Sequence, residues 1–412
     1  MQTHADYLSR YLAARGYQIR VVTYQTTSVE ERQEAARHDA SLPFPVERCL
    51  SRLGYCNNLD LLTAIAEGLQ PDLIYCSTVF YGALEQRTGI PVICRCVGND
   101  VLRPWITWPF QFLSATLSAH WLESFVMRRY RRYHSPEWIS AFFRRRRRQL
   151  MERSVLSMRL VLANSRFTDD LLAAIGLPAA RRKVLVGGVD VPRFAGARPA
   201  TRGIPPNRYV LMTACRIVAK KGIDFLLRAF ARLRETMPDA YLVIVGDGPH
   251  LAKMQRLAVE LQIAGDVHFA GRVPHREIAA YYAAADLFIL ASRESVAAIS
   301  GERDVETMGR VLCEANAARV PVIASRSGGI PSVIEHEQNG LLIEPEDEPA
   351  LLAAIHRLRH DPALRQALTA EGATRAHNKF DWPAILLAHE EAFLQCGEEC
   401  HSSGRLAIGP KA

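Results

Sequence analysis

Between positions 209 and 324 the sequence alternates short, unbroken apolar runs with amphipathic stretches. This alternation restricts the fold more than any other feature. Residues 209–213, 240–245, 267–270, 286–291 and 320–324 read as strands, and 223–233, 250–261 and 278–285 as the helices between them. A strand that is apolar at every position must be covered on both faces, which requires a parallel sheet layered by helices. The N-terminal half repeats the theme, with helices over 5–15 and 59–69 and strands over 18–23, 72–75, 90–96 and 160–163. A chain of 412 residues has room for two such units. A Pro-, Gly-, Ala- and Arg-rich stretch at 193–207 places the division. The expected domains are therefore 1–195 and 207–380. A helix over 383–394, within 381–397, is expected to return to the first domain, and 398–412 to form an unstructured tail.

Just past the strand at 286–291 stands Glu306-Thr-Met-Gly-Arg-Val-Leu-Cys-Glu314, two carboxylates eight residues apart around a glycine. A helix is expected from near Met308 through 318. Its first N–H groups, those of Met308, Gly309 and Arg310, would lack intrahelical partners and attract an anion, and Gly309 would let that anion come close. Glu306 precedes the helix and Glu314 lies about 12 Å further along it. A matching ligand is long, with hydroxyls at both ends and phosphate between, which is the shape of a nucleotide-sugar. Glu-x7-Glu alone is a common pattern of solvated helix charge, so its company carries the weight. Arg216-Ile-Val-Ala-Lys-Lys221-Gly-Ile-Asp224 brings Arg216 and Lys221 off the end of one strand together, a fork and a point charge suited to a diphosphate. Gly246-Asp-Gly-Pro249 reads first as a tight strand-to-helix turn. No Asp-x-Asp triplet and no HExxH-type histidine cluster occurs in the chain.

Taken in order, these segments resemble the GT-B retaining glycosyltransferases, in particular the large family that includes sucrose synthase, phosphatidylinositol mannosyltransferases and bacterial polysaccharide transferases. Val186-Gly-Gly-Val-Asp190, Phe269-Ala-Gly-Arg-Val-Pro274 and Gly328-Gly-Ile-Pro331 extend the resemblance over nearly the whole chain. It implies an α/β fold of two Rossmann-like, doubly wound domains facing an interdomain cleft. It implies a hexosyltransferase-type enzyme, retaining and metal-independent, that needs no cofactor beyond a UDP- or GDP-linked sugar donor. Glu306 would meet the donor sugar and Glu314 the ribose. The backbone of Met308, Gly309, Arg310 and Val311 would meet phosphate and sugar, and Arg272 and Val273 would hold the base. Arg216, Lys221 and Glu306 would form the catalytic set. The acceptor would be a glycan or a lipid-linked glycan in cell-surface polysaccharide or glycolipid synthesis. Two other readings stay open: a catalytically silent scaffold or nucleotide-sugar-binding protein, and a nucleotide-sugar epimerase. Relatives carry His-Gly-x-Asp after the strand at 90–96, whereas this chain has Val97-Gly98-Asn99-Asp100. Val97 cannot bond a sugar hydroxyl. Asp100 either contacts substrate or caps the next turn.

The net charge of +8 is concentrated in Arg128, Arg129, Arg131, Arg132 and Arg144 to Arg148. These interleave with Trp105, Trp108, Phe110, Phe112, Trp121, Phe125, Trp138, Phe142 and Phe143 in a segment spanning 101–150. Basic residues with interfacial aromatics suit an anionic membrane surface. The alternative is an insertion packed on its own domain. No nucleic-acid recognition module surrounds the arginines, so no nucleic-acid partner is expected. Nine scattered cysteines, with no CxxC pair, argue for reduced thiols and a cytoplasmic location, peripheral to the inner face of the cell membrane if the segment docks there. The first residues match the family's first helix, so the native protein is expected to begin about 20 residues earlier, with a strand and a Gly-Gly loop.

Overall fold

The computed structural model describes residues 2–26, 28–106, 108–110, 137–200, 203–296 and 302–402. It divides into two units, one made of residues 1–163, 169–184 and 386–412, the other of residues 164–168 and 185–385.

The second unit is a six-stranded parallel sheet. Its strands are β7 (Tyr209–Ala214), β8 (Ala240–Val245), β9 (Val267–Gly271), β10 (Leu287–Leu290), β13 (Val322–Ser325) and β14 (Leu341–Ile343), in the order β14-β13-β10-β7-β8-β9. A short antiparallel pair, β11 (Ser295–Val296) with β12 (Arg303–Asp304), follows β10. The apolar runs of β8, β10 and β13 are buried at every residue. Successive side chains of a strand point to opposite faces, and the core divides accordingly. Leu211, Leu242, Ile244, Leu287 and Ile289 pack on one face against Leu226, Phe230 and Leu233 of the Ile223–Thr236 helix. Met212, Val243, Val245, Phe288 and Leu290 pack on the other against Tyr282, Leu312 and Phe380. The chain starts this sheet at β7, winds outward through β8 and β9, then crosses back to β10 on the other side. The strand order thus reverses between β7 and β10. In such sheets, ligands bind beyond the carboxyl ends of the strands that flank the reversal.

Among its described residues the first unit has two parallel sheets. One pairs β1 (Val21–Tyr24) with β2 (Val46–Leu50); the other runs β3 (Ile74–Cys76), β4 (Val92–Cys96), β5 (Leu160–Ala163), β6 (Arg182–Val184). The helix Val29–Asp39, which carries no buried residue, and β2 were not anticipated from the sequence. The last helix, Trp382–Ser402, is longer than expected: residues 398–402, assigned to the tail, are helical, and 403–412 lie outside the described residues. Among the described residues no helix is long and apolar enough to cross a membrane.

The first and last helices of this unit are joined through a buried carboxylate. Glu390, 3% exposed, accepts from Tyr11 Oη at 2.8 Å, Arg15 Nε at 2.7 Å and Tyr17 Oη at 3.1 Å. Beside it His4 Nε2 and His389 Nε2 lie 3.1 Å apart. Burial pushes the Glu390 pKa up, but the Arg15, Tyr11 and Tyr17 donors outweigh it and hold the group below the usual carboxylate range. A lowered folded-state pKa gives stability that is complete above the unfolded value and lost as pH falls through the folded one. Glu390→Ala is expected to cost about 2–3 kcal/mol near neutral pH. The gap to the parent should close below about pH 4 in urea titrations.

Candidate donor site

The loop leaving β7 turns sharply at Gly222. Its φ is +61°, and a Cβ there would lie 2.1 Å from the Ala291 carbonyl oxygen at the end of β10. Only glycine satisfies both conditions, so the loop is held against the neighbouring strand of the reversal point. Lys220 and Lys221 precede this turn in a short 3-10 segment, Ala219–Lys221. Lys221 Nζ is ion-paired with Glu306 Oε2, with side chains only 12% and 14% exposed. Lys220 Nζ lies 2.8 Å from Asp304 Oδ1 and donates to the Val305 carbonyl at 3.1 Å. Arg216, nearer the strand end, is exposed.

The carboxylates stand on an arm, residues 303–309, that runs from β12 to the helix Arg310–Ala317. Its path is fixed from behind by the turn after β13. Gly329 N–H donates to the Glu306 carbonyl at 2.8 Å. A Cβ on Gly329 would fall 1.8 Å from the Thr307 carbonyl oxygen, and one on Gly328 2.2 Å from that of Glu306. Burial pushes the Glu306 carboxyl up, but the Lys221 charge and hydrogen bond, the Lys220 charge and the Gly309 N–H together hold it below the ordinary range. Burial works against the Lys221 ammonium as well, and Glu306 foremost keeps its pKa raised. Both groups are therefore charged at neutral pH.

The helix begins at Arg310 rather than near Met308, and this corrects the expectation. Gly309 is its N-cap, left-handed at φ 85° and ψ 58°, and Met308 is buried below it. The Gly309 N–H lies close enough to the Glu306 carboxylate to help keep it ionised. Arg310 and Val311 form the first turn, both half-buried. Further along, Glu314 is 5% exposed and accepts from Tyr282 Oη at 3.0 Å. Burial raises the Glu314 pKa; the Tyr282 hydroxyl and the Arg310 and Arg193 charges oppose the shift without cancelling it. Arg193 lies over the Phe194 ring, and its Nη2 is 3.2 Å from His275 Nε2. Burial, Arg193 and Arg310 lower the His275 pKa, so that ring is neutral at physiological pH.

Arg272 is exposed just past β9, and Val273 packs on the core beneath it. Asp100 belongs to the other unit and is 1% exposed. Its carboxyl takes the Val79 N–H at 3.4 Å and the Cys96 thiol at 3.3 Å, and burial pushes its pKa up to about 6. Among the described residues, no group of three or more His, Cys, Asp or Glu stands together as a metal site.

Two family profiles match the chain in succession: Glycosyltransferase Family 4 over residues 1–193 and Glycosyl transferases group 1 over residues 197–375. The chain belongs to the GT-B glycosyltransferases. This GT-B chain is 36% identical over 224 residues to a GDP-mannose-dependent alpha-(1-6)-phosphatidylinositol monomannoside mannosyltransferase from Mycolicibacterium smegmatis, a match covering 53% of the chain and 57% of the relative. It is 32% identical over 232 residues to the lipopolysaccharide core biosynthesis glycosyltransferase LpsD of Rhizobium meliloti, covering 55% and 62%. The matches thus span little more than half the length of these relatives. Among solved structures, Anabaena HepE in complex with UDP superposes with a TM-score of 0.68 over 95% of this chain and 96% of that one, at 19% identity, a likeness of fold.

Within the GT-B chain, Lys221 and Glu306 are in direct contact, and Glu314 shares a charged cluster with Arg310. Three members of these clusters were missed from sequence: Lys220, Tyr282 and Arg193. Lys220 was visible as the residue beside Lys221. Tyr282 and Arg193 are remote in sequence from Glu314, and no local pattern marks them.

Proposed function

We propose that the chain is a retaining, metal-independent glycosyltransferase that moves a hexosyl group from a nucleoside-diphosphate-sugar to a glycan or lipid-linked acceptor. The acceptor would belong to cell-surface polysaccharide or glycolipid synthesis. The observation that carries the reading is the buried, charged Lys221–Glu306 pair at the point where the strand order reverses. Departure of the leaving group builds negative charge on the diphosphate oxygens. Cations already at the site, Lys221 and the exposed Arg216, would stabilise that charge. Glu306, held ionised, is suited to accept from donor-sugar hydroxyls, and Glu314 from ribose hydroxyls. Arg272 and Val273 remain the assignment for the base. Burial leaves Asp100 better suited to the capping role than to a substrate. The acceptor hydroxyl attacks on the face from which the nucleotide leaves, so configuration is kept.

The names of the mannosyltransferase relatives make GDP the first nucleotide to test, with UDP second. Trp138 and Phe142, 73% and 56% exposed on the helix Glu137–Ser157 that also carries Arg144 to Arg148, support docking at the inner face of an anionic membrane. Phe112, Trp121, Phe125, Arg128, Arg129, Arg131 and Arg132 lie outside the described residues.

Thermal unfolding with GDP, UDP or ADP, without added metal, tests the donor site. Ligand at about 100 times Kd adds about 2.7 kcal/mol to stability. The expected result is a selective upward shift that Glu314→Ala abolishes. No shift with any nucleotide on the folded protein would favour the silent scaffold, to which Val97 in place of histidine also points.

A further inference from the structure

Two adjacent lysines grip the arm that carries Glu306, and only one of them faces the proposed donor chemistry. Lys220 is held at both ends. Its carbonyl accepts from the Arg293 N–H at 2.8 Å, and its ammonium reaches Asp304 at 2.8 Å and the Val305 carbonyl at 3.1 Å. Arg293 is itself clamped to Asp224 at 2.9 and 3.0 Å, at the start of the helix Ile223–Thr236. Lys220 thus joins the loop after β7, the segment after β10 and the arm. Asp304 and Glu306 are two residues apart, so on an extended stretch both project to the same side. Val305, between them, is 2% exposed and lies against the Gly328 turn. Fixing Asp304 and the Val305 carbonyl leaves the Glu306 carboxylate little freedom except toward Lys221.

We propose that Lys220 is a positioning residue: through Asp304 and the Val305 carbonyl it sets the arm so that Glu306 is held against Lys221 in the proposed donor site. The catalytic part of this statement rests on the proposed transferase function; the placement of the arm does not. Lys220 also adds to the positive field on Glu306, behind the stronger effect of Lys221.

The test compares Lys220→Met, Lys220→Arg and Asp304→Asn in the full chain, alone and with Lys220→Met combined with Asp304→Asn. Hydrogen exchange of the 302–309 backbone needs no ligand. Lys220→Met should raise exchange there by about tenfold, and Lys220→Arg should restore most of the protection. With the donor nucleotide found by thermal shift, Lys220→Met should lower kcat about tenfold and change KM less than about threefold. The acid limb of its pH profile should move up, because Glu306 is then easier to protonate. The double variant should be no worse than the worse single one. A rise in donor KM at unchanged kcat would instead make Lys220 a phosphate ligand. Unchanged exchange over 302–309, or multiplicative losses in the double variant, would overturn the proposal. If the parent binds no nucleotide, the transferase reading fails while the exchange comparison still decides whether Lys220 sets the arm.

Discussion

Lys221→Met is expected to lower the rate of sugar transfer by about 10²- to 10³-fold, the loss typical when one preorganised charge is removed from a site that stabilises a developing anion. The variant has a second, separable effect. Lys221 and Glu306 are 12% and 14% exposed, and removing one leaves the other's charge in a poorly solvated place. Breaking such a pair costs about 3–5 kcal/mol. Without Lys221 the desolvation of Glu306 is opposed only by Lys220 and the Gly309 N–H, so its pKa rises and the neutral acid becomes accessible. Combining Lys221→Met with Glu306→Gln should therefore recover stability relative to Lys221→Met while activity stays lost. Urea unfolding and single-turnover rates on the four proteins of the cycle separate the two effects. A double variant as unstable as the sum of the singles would mean that the pair is not coupled as its geometry requires.

Gly329→Ala is expected to be more damaging to folding than most core truncations. The backbone angles of Gly329, φ −84° and ψ −1°, suit any residue, so left-handed strain is not the reason. The obstacle is space. The added methyl would lie 1.8 Å from the Thr307 carbonyl oxygen and 2.8 Å from Ser165 Oγ. Neither backbone can yield without moving the arm or losing the Gly329 N–H to Glu306 carbonyl bond. We expect a loss of about 3 kcal/mol or more, with weaker nucleotide binding in whatever fraction folds. Gly265→Ala, where an added Cβ meets nothing within 4 Å, is the matched control and should stay close to the parent. Thermal unfolding of the two variants, with and without nucleotide, decides the matter.

Much of the second unit is legible from sequence because its signals are local. β8 coincides with the expected 240–245, and β5 in the first unit with 160–163. Continuous apolar runs bounded by Gly, Pro or Asp leave few alternatives. The helix at 29–39 was missed for the opposite reason: Val-Glu-Glu-Arg-Gln-Glu-Ala-Ala-Arg-His-Asp has no apolar stripe, and the helix rests on its Ser28 cap and propensity. The candidate site is legible in its membership but not in its wiring. Glu306 and Lys221 could be named from motif company, but their mutual contact spans 85 positions and no periodicity encodes it. The shift of the helix start from Met308 to Arg310 follows from the left-handed Gly309, where a pattern reading sees only a permissive residue. The sequence leaves Asp100 open between substrate and cap, because its burial against Val79 and Cys96 is set by tertiary contacts that no local pattern encodes.

The two lysine–carboxylate contacts also govern how the site presents itself to ions in solution. Lys220 and Lys221 already have Asp304 and Glu306 as internal counter-ions, so each of these two pairs is electroneutral at rest. If a diphosphate binds there as proposed, it would not fill a bare positive hole; it would displace a carboxylate from an ammonium, as in an ion exchanger. Exposed Arg216 is left to draw the anion in from a distance, and only that long-range part is screened at ordinary ionic strength. The salt sensitivity of nucleotide capture would then follow one cation rather than three, while selectivity among anions would follow how well each competes with Glu306 for Lys221.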